Sequence, residues 1–185
     1  MGAGILPTTI INNKIYFLFG KENKFETSAP GFSDFGGGTE KSETLLKTAI
    51  REASEELTGF LGDEKDIKKL LYKHGFMHFD YDNGEHSLYR MYIFPIEYDP
   101  NLMYYYNNNQ RFIQKKLDDS IIKNTRIFEK AEIKWFSIDE LIKSKPKFRH
   151  YFIHLIGLIL ENRNKITKFI KHSLNKSRNK TLKNR

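Results

Sequence analysis

Two apolar runs, Gly4 to Ile11 and Lys14 to Phe19, stand on either side of Asn12-Asn13. Asparagine tolerates positive φ, so this pattern predicts a β-hairpin. A polar stretch with Gly and Pro follows from residue 20, and a short strand is expected around Phe32 to Phe35, leading into Gly36-Gly37-Gly38. From Ser42 to Leu57 there is no Gly or Pro, and Leu45, Leu46, Ala49, Ile50, Ala53 and Leu57 recur at helical spacing. That period predicts an amphipathic helix packed on a sheet, with Ser42 as its N-cap, Glu43 in its first turn and Gly59 as its stop.

Further on, Asp63 to Leu71 reads as a short helix or turn. Tyr72 to Tyr81 and Ser87 to Tyr98 read as strands about the turn Asp82-Asn83-Gly84-Glu85. Alternation over Leu88 to Ile96 gives that strand one buried face. Asn101 to Lys123 is rich in Tyr and Asn and reads as a polar insertion outside the core, whose Tyr104, Tyr105 and Tyr106 beside Arg111, Lys115 and Lys116 either just cover a surface or stack a base while the cations meet phosphate. Trp135 and Phe136 belong to a last strand, followed by a helix capped by Ser137. Phe148 to Leu160 is apolar but far short of the roughly 20 residues that span a bilayer, which predicts a final helix packed on the domain.

The second stripe of the central helix carries the chemistry. Glu52, Glu55 and Glu56 fall at i, i+3 and i+4, where like charges repel by roughly 0.2–0.5 kcal/mol per pair. Such crowding calls for a cation. Arg51 precedes Glu55 by four residues and is placed to hold it, leaving Glu52 and Glu56 facing outward together. Carboxylates beside a free backbone carbonyl suit Mg²⁺ or Mn²⁺, which prefer oxygen ligands. By itself this is also the composition of a solvated acidic helix face.

The wider register decides between the two. Gly37, Glu43 and Arg51-Glu52-x-x-Glu55-Glu56, spread over 20 residues, resemble the signature of the Nudix hydrolases. The resemblance is close over Gly37 to Gly59 and holds in outline over residues 3 to 141, where the segment Phe128 to Leu141 is also similar. It implies an α/β fold of the Nudix type: an α/β/α sandwich with a mixed β-sheet, the catalytic loop-helix and a C-terminal helix. It also implies Glu52 and Glu56 as main metal ligands, Glu55 as a further or water-bridged ligand, Arg51 as orienting partner and the Gly36 carbonyl as a ligand. A further carboxylate from the loop before the last strand is implied too, Glu129 first and Glu132 second. Two positions depart from the family. Ala53 replaces a bulky aliphatic, implying a close helix–sheet contact, and Thr58 replaces a glycine that arrives one place late at Gly59, implying a longer helix end.

Length and charge refine this. The 185 residues suffice for one full core. Residues 1–145 are expected to be the hydrolase domain, 146–172 a C-terminal helix packed on it, and 173–185 a basic, disordered tail. Residues 161–185 hold nine Lys or Arg and one Glu, whereas residues 1–160 hold 22 charges of each sign. A tail of this charge is expected to bind polyanions through counterion release, RNA first and an anionic membrane surface second; a solubilising tail with no partner is the alternative. There is no cysteine, hence no disulfide, thiolate metal site or cysteine nucleophile. Nothing resembles a secretory signal, so a cytoplasmic place is expected. Abundant Lys, Asn, Ile, Tyr and Phe hint at an AT-rich genome, as in some large DNA viruses or parasites.

The resemblance thus implies a metal-dependent pyrophosphohydrolase acting on a nucleoside diphosphate linked to another moiety. The mRNA 5′ cap is the leading substrate; free nucleotides, dinucleoside polyphosphates and inositol pyrophosphates are the alternatives. A catalytically silent nucleotide- or RNA-binding module is the alternative of another class. Lys21 and Glu22 are weaker candidates for substrate contact, and His78, Glu85 and His86 are read as structural or exposed. Oligomeric state is left open.

Overall fold

The computed structural model describes all residues except 83, 85–87, 126–127 and 184–185, with side chains described through residue 176. The expectations for Glu85 and His86 lie outside the described residues. Among those described, the strands form one seven-stranded mixed sheet in the order β3-β2-β1-β6-β5, with β4 also pairing to β1 and β7 to β2.

The hairpin forms as its pattern dictates. β1 (Gly2–Ile11) and β2 (Lys14–Glu22) pair antiparallel, and Asn12 and Asn13 take φ of 49° and 62° in the turn. The first half of β1 pairs instead with β4 (Phe35–Gly38), matching Gly4 with Gly36, while β3 (Phe32–Ser33) pairs with β2. The expected single strand over Phe32 to Phe35 is therefore two short strands with different partners, divided at buried Asp34. β6 (Leu88–Pro95) lies parallel to β1 and antiparallel to β5 (Met77–Asp82); β7 (Lys130–Ser137) lies antiparallel to β2.

Side chains that alternate along these strands fill two cores, one on each face. Ile5, Leu18 and Trp135 belong to the core under α1 (Leu45–Glu56), α2 (Glu64–His74) and α3 (Pro100–Lys116). Their neighbours Leu6, Phe17, Phe19 and Phe136 belong to the opposite core, closed by Leu141 of α5 (Ile138–Ser144), Phe148 and Phe152, α6 (Ile153–Glu161) and α7 (Arg163–Lys183). A short α4 (Asp119–Asn124) lies between α3 and β7 in sequence. The result is an α/β/α sandwich. No helix among the described residues is long and apolar enough to cross a membrane.

Several local expectations are corrected. The N-cap of α1 is Thr44, whose hydroxyl accepts from the Lys47 N–H, and Ser42 sits at φ 71° in the preceding turn. Thr58 does not lengthen the helix. It takes φ 49° itself, and α1 ends at Glu56. Tyr72 is helical, because Asp63 caps α2, Ile67, Leu71 and His74 form its buried face, and Gly75 at φ 74° ends it. The Tyr/Asn-rich stretch is not an insertion outside the core but a helix, with Leu102, Tyr106 and Gln110 buried.

Candidate active site

Strand β4 and helix α1 meet where glycine is required. A Cβ on Gly37 would stand 2.6 Å from the Glu52 carboxylate, and one on Gly36 would stand 2.4 Å from the Gly4 Cα. The strand can therefore lie against both β1 and the acidic face of the helix. The Gly36 N–H donates to Glu56 Oε2 at 2.9 Å, fixing that carboxylate on the strand.

Arg51 organises the entrance. Its Nε donates to Glu43 Oε1 at 3.1 Å, Nη2 to Glu43 Oε2 at 3.1 Å and to the Gly38 carbonyl at 3.1 Å, and Nη1 to Glu52 Oε1 at 2.8 Å. The contact with Glu55, at 3.4 Å, is the longest of the set. Glu43 and Glu52 are thus the principal partners, where the sequence spacing singled out Glu55. Glu43 also accepts from the Glu40 N–H and the Thr48 hydroxyl, so it secures the loop before α1. The Arg51 hydrogen bond is the largest influence on its carboxyl, which is held down at about 2.

Glu52 and Glu56 do not face outward. Both are buried against β4. Beneath them lies a charge cluster that the sequence did not announce. Lys130, at the start of β7, is wholly enclosed, with Nζ 3.0 Å from Glu56 Oε1, 3.0 Å from the Ser33 hydroxyl and in contact with Glu22 Oε1. Arg149 reaches Glu22 from the far end of the chain and approaches Glu26 at 3.7 Å. Two cations thus balance Glu22 and Glu56. Burial is the largest influence on both partners of the inner pair. It pushes the Glu56 carboxyl up, and it would lower the Lys130 ammonium, but Glu56 and Glu22 outweigh it and hold that ammonium above its ordinary value. The signal for this cluster was thin: an apolar-to-charged switch at Glu22, and a lysine at the head of an otherwise buried strand.

These groups surround a cavity of about 720 Å³ lined by Gly36, Gly37 and Gly38, by Glu22, Glu26, Glu52, Glu56 and Glu129, and by Arg149 and Tyr151. Glu129 therefore stands at the same cavity as Glu52 and Glu56. Glu132 does not line it and lies 3.9 Å from Lys21 at an exposed pair. Glu55 is outside the lining, on the Arg51 side. Glu22 lines the cavity, while Lys21 lies outside its lining and borders a neighbouring hollow with Glu22, Arg111 and Asn107. Of the three tyrosines singled out on α3, Tyr104 and Tyr105 are exposed, but Tyr106 is fully buried and unavailable for stacking. Its hydroxyl lies 2.7 Å from the Glu56 carbonyl and 3.1 Å from the Lys130 carbonyl, tying α3 to both.

No protein-family model and no curated protein matches the sequence. Solved structures match in shape. An Ap4A hydrolase from C. elegans, in a binary complex, superposes with a TM-score of 0.51 at 14% identity, over 93% of this chain and 99% of that one. A bifunctional NMN adenylyltransferase/ADP ribose pyrophosphatase from Francisella tularensis, complexed with AMP and a Mn ion, superposes at 0.50 with 16% identity, over 86% of this chain and 41% of that one. At such identities the likeness is one of fold.

Proposed function

We propose that this chain, which has the Nudix fold, hydrolyses the diphosphate linkage of a nucleoside diphosphate joined to another moiety, using Mg²⁺ or Mn²⁺. The observation that carries the reading is the meeting of Glu52, Glu56 and Glu129 with a glycine strand at one cavity.

The donor chemistry fits a hard divalent cation: five carboxylates and a side-chain-free strand line the cavity. Among the described residues no three acidic or imidazole side chains stand together at metal-holding spacing, so the fit rests on donor type. Glu52, Glu56 and the Gly36 carbonyl would hold the ion, with Glu55 acting through water. When bound, the ion supplies charge neutralisation on the diphosphate and a more acidic water. The protein's own groups do the rest. Arg51 fixes Glu52; Lys130 and the Gly36 N–H fix Glu56; Arg149 presents a cation on the cavity wall to phosphate oxygens. Glu129 accepts the proton of the attacking water, and the products are two phosphate-ended fragments.

Within this class, a dinucleoside polyphosphate or free nucleotide is supported by the fold-level likeness to the C. elegans Ap4A hydrolase over nearly the whole of both chains. The mRNA cap is the second reading, favoured by the net charge of +8 over residues 161–185.

The test is hydrolysis with Mg²⁺ or Mn²⁺ of diadenosine polyphosphates, nucleoside triphosphates, ADP-ribose, free cap dinucleotide and capped RNA, comparing wild type with Glu56→Gln. Turnover of one of them, abolished in the variant, is expected. Nucleotide binding with no turnover across the panel would instead make the chain a binding module.

A further inference from the structure

Helix α3 carries a face that the hydrolase reading leaves unused. Leu102, Tyr106 and Gln110 turn one stripe into the core. On the opposite arc, at about 100° per residue, fall Tyr104, Tyr105, Arg111, Phe112, Lys115 and Lys116, every one of them exposed. Tyr104, Tyr105 and Phe112 are 61%, 59% and 64% exposed, and with Met103 they make four of the ten large apolar side chains exposed among the described residues. A single apolar residue on a surface is ordinary, whereas three rings on one helix face mark a place of contact.

The cations on this face lack the partners that others have. α3 contains no Asp or Glu, and among the described residues none of Arg111, Lys115 and Lys116 is ion-paired. Lys14, Lys24 and Lys69, elsewhere on the surface, each pair with an aspartate. Neutral groups orient Arg111 instead: its Nε donates to the Asn107 carbonyl at 3.2 Å and its Nη2 to the Asn108 side-chain oxygen. Tyr104 and Tyr105 stand edge to face, with centroids 5.3 Å apart. The helix beneath is fixed by Tyr106 on the Glu56 and Lys130 carbonyls and by Asn107 on Ile133, so the rings are presented on a rigid support. Arg111 also walls the neighbouring hollow, of about 850 Å³, with Lys21 and Lys24, and that hollow shares Glu22, Asn23 and Glu26 with the carboxylate cavity.

Exposed rings beside unpaired cations, with no acid on the same helix, match a strand whose bases are bare and whose backbone is anionic: rings stack on any base face, and cations track phosphate. A duplex has no such base faces to offer. A second copy of this chain would set the same three cations against each other across a twofold axis. We propose that the outer face of α3 binds single-stranded nucleic acid, with Tyr104, Tyr105 and Phe112 taking bases while Arg111, Lys115 and Lys116 meet phosphates. Only the link to the carboxylate cavity rests on the hydrolase reading: a polynucleotide joined to the diphosphate would leave that cavity past Arg111.

Fluorescence anisotropy of labelled, uncapped oligo(U) and oligo(dT) of roughly 12 nucleotides tests this on the full chain without any turnover. Wild type is expected to bind both at low salt. Tyr104→Ala and Phe112→Ala, at exposed rings, should each weaken binding by on the order of tenfold, the worth of one stacked base, with salt dependence and melting temperature unchanged. Lys115→Gln should instead lower the slope of log binding constant against log salt by roughly 0.7. Tyr72→Ala, at an exposed ring on α2, should bind as wild type does. The site is overturned if wild type binds neither strand, if the ring variants bind as wild type does, or if they weaken binding of a duplex of the same length equally. It is also overturned if the rings hold two copies of the chain together, seen as a dimer that Phe112→Ala dissociates. A loss on oligo(U) alone narrows the ligand to RNA. A chain that binds the strand in this way yet hydrolyses nothing would retain the α3 site and lose the hydrolase reading.

Discussion

Gly37 is the position where one methyl group decides most. Its missing side chain leaves room for the Glu52 carboxylate, which Arg51 holds from the other side at 2.8 Å. Gly37→Ala would push that carboxylate off its seat while β4 stays paired to β1. Turnover is expected to fall by about 10–100-fold, as for losses of groups that position metal ligands, with the melting temperature little changed. His74 offers a test of stability at the same scale. Burial is the largest influence on it, followed by Lys73, and together they lower its imidazole against the pull of Glu97. A depressed histidine adds stability in full above its unfolded value near 6.5, and that stability is lost as pH falls through this value towards the folded one. Wild type should therefore melt at lower temperature near pH 5 than near pH 8, and His74→Gln should show a smaller difference between the two.

At the scale of elements, α3 shows what the sequence conceals. Asp99 accepts from the Asn101 N–H and Pro100 stands at the first turn, a start signal that was legible. Leu102, Tyr106 and Gln110, spaced by four, gave a stripe that the Tyr and Asn content obscured. Asn107 then does what a neighbouring strand would do, donating to the Ile133 carbonyl at 3.0 Å and accepting its N–H at 2.8 Å along β7. Tyr106→Phe would leave the Glu56 and Lys130 carbonyls without this hydroxyl in a buried place. A loss of about 1–3 kcal/mol in unfolding free energy is expected from denaturant titration, together with reduced turnover, since both carbonyls belong to residues of the charge cluster. By contrast the hairpin and the apolar stripe of α1 were fully legible, because each rests on contacts between near neighbours in sequence. The Lys130–Glu22 pair spans 108 residues, and the Arg149–Glu22 pair spans 127; no local pattern reports such distances.

For the whole molecule, the decisive feature is that the C-terminal helices complete a core. Ile166 and Ile170 of α7 are fully buried with Leu155, Ile156 and Phe152 beneath the sheet. Ile170→Ala is expected to cost about 2–5 kcal/mol, read as a lower denaturant midpoint. The basic character of the C-terminal region therefore cannot be removed by cutting at the start of α7, since such a chain would lose Ile166 and Ile170 along with the charges.

A cut after Lys176 separates the two roles: among the residues whose side chains are described, those of α7 that are buried lie before it, and Arg178, Lys180, Lys183 and Arg185 lie after it in the sequence. This shortened chain should melt as wild type does and hydrolyse small nucleotides at the wild-type rate. If residues beyond 176 meet RNA phosphates, the slope of log binding constant against log salt should fall by up to about 3, at roughly 0.7 per phosphate contact on a single strand. Filter binding of a capped RNA across a salt series, in both chains, measures that slope. An unchanged slope would place RNA affinity, if there is any, on the body of the molecule and remove the charge argument for the cap. A reduced slope with unchanged turnover of small nucleotides would give the basic end a separate part in holding a long substrate.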